Sequence, residues 1–189
     1  MSAEEMEERI AEASPRLKAR IAGLFYLLNI LMGVAANFFV RGRLGSVVYL
    51  IGMLCNLAVT LLFYGIFKPV SRSLSLLAAS FGLLVFILGT PQWHPHGVDI
   101  ALIFYGSYCV LIGYLIFRSV FLPRILGALM AFAGLCWLTF LFPPLTHHLS
   151  PYNLASGVLG QGLLMLWLIV MGVNVQRWKE QASAAGRRE

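Results

Sequence analysis

Charge is what this chain has least of. Only 12% of its 189 residues are Asp, Glu, Lys or Arg, against about 25% in soluble domains, while 59% are apolar. The scarce charges are also clustered. None lies within 21–40, 44–67, 73–90, 100–117 or 125–176. A helix needs about 20 mainly apolar residues to cross a bilayer core, so these intervals exclude a soluble domain. Cysteine is scarce too, and none lies in a loop. Cys55, Cys109 and Cys136 all fall inside charge-free stretches, which excludes a loop disulfide framework and leaves three small packing residues.

Other absences narrow the function. Asp99 is the single acid between Glu12 and Glu180, and no carboxylate, Lys, Arg or His falls in the middle of a span. Proton-driven transport ordinarily needs such a group at that depth, so a proton-coupled transporter or pump is disfavoured. No charged ring or broken helix marks a channel. There is no glycine-rich phosphate loop, no HExxH and no GxSxG, and Ser, Asp and His are not arranged as nucleophile, base and orienter. No catalytic residue is assigned. The net charge of +6 suggests nucleic acid at first sight. The cations lie in membrane-flanking loops rather than on one groove-facing surface, which argues against it.

What remains is an all-α polytopic membrane protein, a six-transmembrane-helix up-and-down bundle. The expected spans are about 21–40, 45–67, 74–90, 98–117, 123–142 and 153–175, within a membrane domain of residues 20–176. Segments this long and apolar can satisfy their backbone in lipid only as helices. The interval 125–176 holds two of them, broken near Pro143-Pro144. Residues 1–19 form a short helix with a weak apolar stripe (Ala3, Met6, Ile10, Ala13, Leu17) or a flexible tail. Ser2 to Glu5 fits a capping box. Ser14-Pro15 then reads as an N-cap with proline in the first helical turn. The length and late start of the first span predict a retained segment rather than a cleaved signal peptide, despite Val34-Ala-Ala36. Residues 177–189 are expected to be a polar tail.

Orientation follows from Lys and Arg. With the N-terminus inside, twelve of the fourteen fall inside and only Arg41 and Arg43 outside. The positive-inside rule then predicts that both termini are cytoplasmic. Short connections predict antiparallel neighbours. Small residues four apart (Ala78 and Gly82, Gly127 and Ala131, Ser156 and Gly160) let helix backbones approach.

Two sets of residues are candidates for binding. Within the spans, Asn29, Asn56, Tyr108 and Gln161 are expected to line a polar cavity for a small molecule, lipid or quinone, although buried amides also commonly join helices. Outside, the four histidines sit in two loops, His94 and His96 in Trp93-His-Pro-His-Gly97, and His147 and His148 after Thr146. Imidazole suits zinc or copper, and two loops of two would make a site only if they meet. Interfacial positions for His and Trp account for them equally simply.

The stretch Gly113-Tyr-Leu-Ile-Phe-Arg-Ser-Val-Phe-Leu-Pro-Arg-Ile-Leu-Gly127 reads as a tight hairpin between two spans, with Arg118 and Arg124 at one surface. There the chain resembles a bacterial family known as domain of unknown function 4386. Arg20 to Tyr26, Phe67 to Leu74 and Leu166 to Asn174 are similar to it as well, so the resemblance extends over roughly 20–178. It implies a multi-pass protein of a bacterial inner membrane and no particular activity. The family's pattern tends to carry Arg near Gly82, His at Tyr108 and Glu at Gln161; this chain has none of the three. The expected role is a binding or scaffold subunit of a membrane assembly, with lipid and a membrane-protein partner or a second copy as its company. A small-molecule, lipid or quinone binder, a channel or transporter and an outer-face metal protein are the alternatives.

Overall fold

The computed structural model describes residues 3–40, 42–89, 100–149 and 152–187. Helices joined by short turns make up the described residues, with no strand among them. The order is α1 (Ala3–Val34), a π-helical turn (Ala35–Phe39), α2 (Gly42–Phe67), α3 (Arg72–Gly89), α4 (Ile100–Arg118), α5 (Arg124–Leu138), a 3-10 turn (Thr139–Leu141), α6 (Pro143–Leu149), α7 (Tyr152–Val170) and α8 (Val175–Gly186). Among the described residues six helices are long and apolar enough to cross a membrane, beginning with Pro15–Val34 of α1 and ending with α7. Their number is the six expected, although the first begins and ends about six residues earlier than the expected 21–40.

Local chemistry sets the ends. Ser71 opens α3 by accepting from the Leu74 N–H at 3.5 Å. Asn174 caps α8, its Oδ1 accepting from the Arg177 N–H at 3.2 Å, which satisfies one of the orphan donors of a first turn. Gly172, at φ 68°, turns the chain out of α7, a conformation that costs a residue with a Cβ about 1 kcal/mol or more.

Three expectations change. Pro15 does not start a helix; α1 runs through it from Ala3. Pro143 and Pro144 do more than stop the fifth span. They open α6, because proline's missing N–H costs nothing in a first turn. The polar tail is not a tail but helix α8. The Trp178 indole N–H donates to the Ile66 carbonyl at 2.9 Å, and Gln181 Oε1 accepts from the Val120 N–H at 3.2 Å. These bonds hold α8 across the ends of α2 and α4.

The spanning helices pack in chain order, α1 on α2, α2 on α3, α3 on α4, α4 on α5 and α5 on α7, and α7 returns to α1. They therefore close a ring, with both described ends of the chain on one face, called here the terminal face. The closest pair is α4 with α5. Gly113 meets Gly127, and Gly106 meets Gly134, two helical turns further along each helix. A Cβ on Gly113 would lie 2.6 Å from the Ala131 nitrogen and 2.7 Å from the Gly127 oxygen, and one on Gly134 would lie 2.7 Å from the Gly106 oxygen. Backbone meets backbone, the contact small residues permit in lipid. Of the small-residue pairs read from the sequence, Gly127 and Ala131 lie in this seam. Gly82 seats α3 on Thr60 of α2, and Gly160 seats α7 on Leu129 and Ala133 of α5.

Inside the ring, the half toward the terminal face is filled by apolar side chains. Tyr26, Phe63, Phe67 and Phe121 form a chain of ring contacts at 6.2, 5.7 and 5.9 Å between centroids. Ile66, Ile112, Leu115, Ile116, Leu164 and Leu168 are fully buried in the same core. Outside, leucines, isoleucines and aromatics are exposed on every one of the six spans, as a lipid-facing surface requires.

Candidate functional site

The polar side chains lie above that apolar half, near the middle of the bundle. Asn56 is 11 residues from the end of α2, or about 17 Å at 1.5 Å per residue. It is 2% exposed, and among the described residues neither its Nδ2 nor its Oδ1 has a hydrogen-bond partner. One turn on, Thr60 gives its hydroxyl proton to the Asn56 main-chain carbonyl at 2.9 Å. Tyr108 of α4, 1% exposed, faces Thr60. Its hydroxyl makes no hydrogen bond of good geometry among the described residues.

The other two expected ligand residues join the same cluster. Asn29 of α1 interacts through its side chain with the Tyr105 hydroxyl, as does Tyr26. Tyr105 stacks on Tyr108, with centroids 6.3 Å apart and 19° between planes, and Trp137 meets Tyr105 edge-on at 5.6 Å. Gln161 of α7 is 2% exposed and donates Nε2 to the Cys109 sulfur at 3.7 Å. Asn29, Asn56, Tyr108 and Gln161 thus come from α1, α2, α4 and α7 to one connected polar layer. Gly82 also touches Thr60. The three positions where the resembled pattern carries ionisable residues therefore fall at one depth.

Thr60 and Trp137 belong to this layer and were not singled out from the sequence; Tyr105 and Cys109 belong to it too and were not among the expected ligand residues. A signal for two of them exists. Thr60 lies four residues from Asn56, and Tyr105 three from Tyr108, so each pair shares a helix face. Trp137 is a span aromatic like many others; its indole N–H is buried against Gly157, without a partner among the described residues.

Chemically the layer offers a complete primary amide, one donor pair and one acceptor, with a phenol and aromatic rings in the same layer and no charged group among its described residues. A buried polar atom left unpaired costs about 1–3 kcal/mol. The site therefore suits an uncharged molecule that supplies both an acceptor and a donor.

His147 and His148 stand apart from this layer. His147 and His148 are exposed on the seven-residue helix α6, and adjacent helical positions diverge by about 100°; the Thr146 hydroxyl ties α6 back to the Thr139 carbonyl at 2.8 Å. His94 and His96 lie outside the described residues. Among the described residues, no three His, Cys, Asp or Glu gather in a way that would hold a metal ion.

A ring of six apolar helices around a neutral polar layer defines a multi-pass membrane protein. Residues 88–172 match the model of a family described as Domain of unknown function (DUF4386), so the resemblance seen around Gly113 to Gly127 is upheld over α4, α5 and α7. A relative from Archaeoglobus fulgidus, called "Uncharacterized protein", is 26% identical over 156 residues, which is 75% of this chain and 94% of that one. No solved structure matches.

Proposed function

We propose that this membrane protein is a binder of a small, uncharged, hydrophobic molecule held in the polar layer at Asn56 and Tyr108. One observation carries the reading: a buried asparagine, Asn56, whose amide has no hydrogen-bond partner on either atom among the described residues, one helical turn from the Thr60 that faces Tyr108. Buried amides that join helices have partners on the neighbouring helix, and the Asn56 amide has none among the described residues. The ligand's polar group meets the amide and the Tyr108 hydroxyl, its ring or chain lies along Tyr105 and Trp137, and Asn29 and Gln161 border the layer. Quinols and carboxamides fit that chemistry.

The aromatic chain from Tyr26 to Phe121 supports a binder over a channel, because it fills the bundle between the polar layer and the terminal face. A scaffold role has no particular face to recommend it, since the exposed apolar side chains are spread round the whole ring. The preponderance of cations on the terminal face supports a cytoplasmic location for both ends. Purified protein extracted with organic solvent should release a neutral compound at near-stoichiometric yield, identified by mass spectrometry. The same extraction from a folded Asn56→Leu, Tyr108→Phe variant should not. Equal yields from both proteins would refute the site.

A further inference from the structure

At the turn between α4 and α5, guanidinium groups from three elements gather. Arg118 closes α4, and its guanidinium carbon lies 5.8 Å from the centre of the Tyr114 ring. Arg124 opens α5 and sits 5.9 Å from the centre of the Phe117 ring. Arg177 of α8 donates Nη1 to the carbonyl of Val120, within the turn, at 3.4 Å. No Asp or Glu occurs on α4, the turn or α5; α8 brings one acid, Glu180. Tyr114 and Phe117 are 47% and 51% exposed, on the part of α4 that faces lipid, and both arginines are exposed beyond them.

A guanidinium over a ring face keeps its in-plane N–H donors free, and its fork matches phosphate oxygens. The turn lies at the end of two apolar spans, at the level of lipid headgroups. We propose that the α4–α5 turn is a headgroup site for an anionic glycerophospholipid. Arg118 and Arg124 take the phosphate, Arg177 adds charge from α8, and an acyl chain runs down past Phe117 and Tyr114. A zwitterionic lipid brings its own cation into the same cluster and is disfavoured.

The test uses full-length protein in mild detergent, titrated with phosphatidylglycerol, phosphatidylcholine or inorganic phosphate and read by native mass spectrometry. A one-to-one phosphatidylglycerol adduct is expected, at least tenfold tighter than phosphatidylcholine, with inorganic phosphate failing to displace it at millimolar concentration. Arg118→Gln, Arg124→Gln should weaken that adduct at least tenfold, while Lys18→Gln, Lys68→Gln, which removes as much charge from the same face, leaves it within twofold. If the glutamine pair does not fold, Arg118→Lys, Arg124→Lys keeps the charge but loses the fork, and should weaken binding at least threefold. Equal binding of both lipids, equal loss in both charge-removal pairs, displacement by inorganic phosphate, or unchanged affinity in the lysine pair overturns the proposal.

Discussion

Gly127→Ala should damage this protein more than a single methyl suggests. The new Cβ would stand 2.7 Å from the Gly113 oxygen and 2.7 Å from the Phe117 nitrogen. Both are backbone atoms, so no side chain can swing away. Ordinary contact begins near 3.4 Å, so α4 and α5 must part by about 0.7 Å where they are closest, and overpacking of this kind costs about 1–3 kcal/mol. The absence of any flexible neighbour puts the expected loss at the upper end, about 2–3 kcal/mol, and Gly134→Ala should behave alike because Gly106 and Val110 press on it in the same way. Gly65 and Gly162 supply the control, since a Cβ there meets nothing within 4 Å. Alanine at those sites should be neutral or stabilising, by up to about 1 kcal/mol from helix propensity. Reversible unfolding in mixed micelles, or the melting temperature in one detergent, reads the difference. If Gly127→Ala and Gly65→Ala unfold together, the backbone seam is not what holds α4 to α5.

Three further outcomes can be checked. Cysteine at His148 should react with an impermeant thiol reagent in whole cells, whereas cysteine at Ser71 should react only after lysis; the opposite pattern would invert the orientation. Trp178→Phe keeps an aromatic ring, a smaller one, but removes the donor to the Ile66 carbonyl, so α8 should loosen by about 1 kcal/mol, seen as faster amide exchange confined to residues 175–186. Unchanged exchange there would mean that α8 is held by packing alone. If His94 or His96 meets His147 or His148, protein purified without chelator should carry near-stoichiometric zinc or copper that His94→Ala, His147→Ala abolishes; metal-free protein would leave these histidines as interfacial residues.

The six spans were legible because charge-free intervals in lipid admit only helices, and that constraint acts on each segment alone. Ring closure was not, since the contact of α7 with α1 depends on packing between segments far apart in sequence. The tail was misread for a related reason: α8 is polar along much of its length, and what holds it is a pair of long-range bonds from Trp178 and Gln181. Asn29, Asn56, Tyr108 and Gln161 were visible as polar exceptions in apolar runs. Which of them lack partners was not visible, because hydrogen-bond satisfaction is a property of neighbours. The glycine seam was half visible. Gly127 and Ala131 show the local four-residue spacing, but Gly106 and Gly134 gain meaning only when the two helices are laid antiparallel. The start of α1 was the opposite case, where a local proline signal yielded to a helix that continues through it.

The most direct test of the interior site is the stability of delipidated Asn56→Leu beside delipidated wild type, each with and without the extracted neutral ligand. If the amide exists to meet a ligand, leucine removes an unpaired buried group, and the empty variant should be more stable by about 1–3 kcal/mol. Added ligand should then raise the melting temperature of wild type and leave the variant unmoved. An empty variant less stable than empty wild type, or one that the ligand stabilises equally, would show that Asn56 serves the fold and not a ligand.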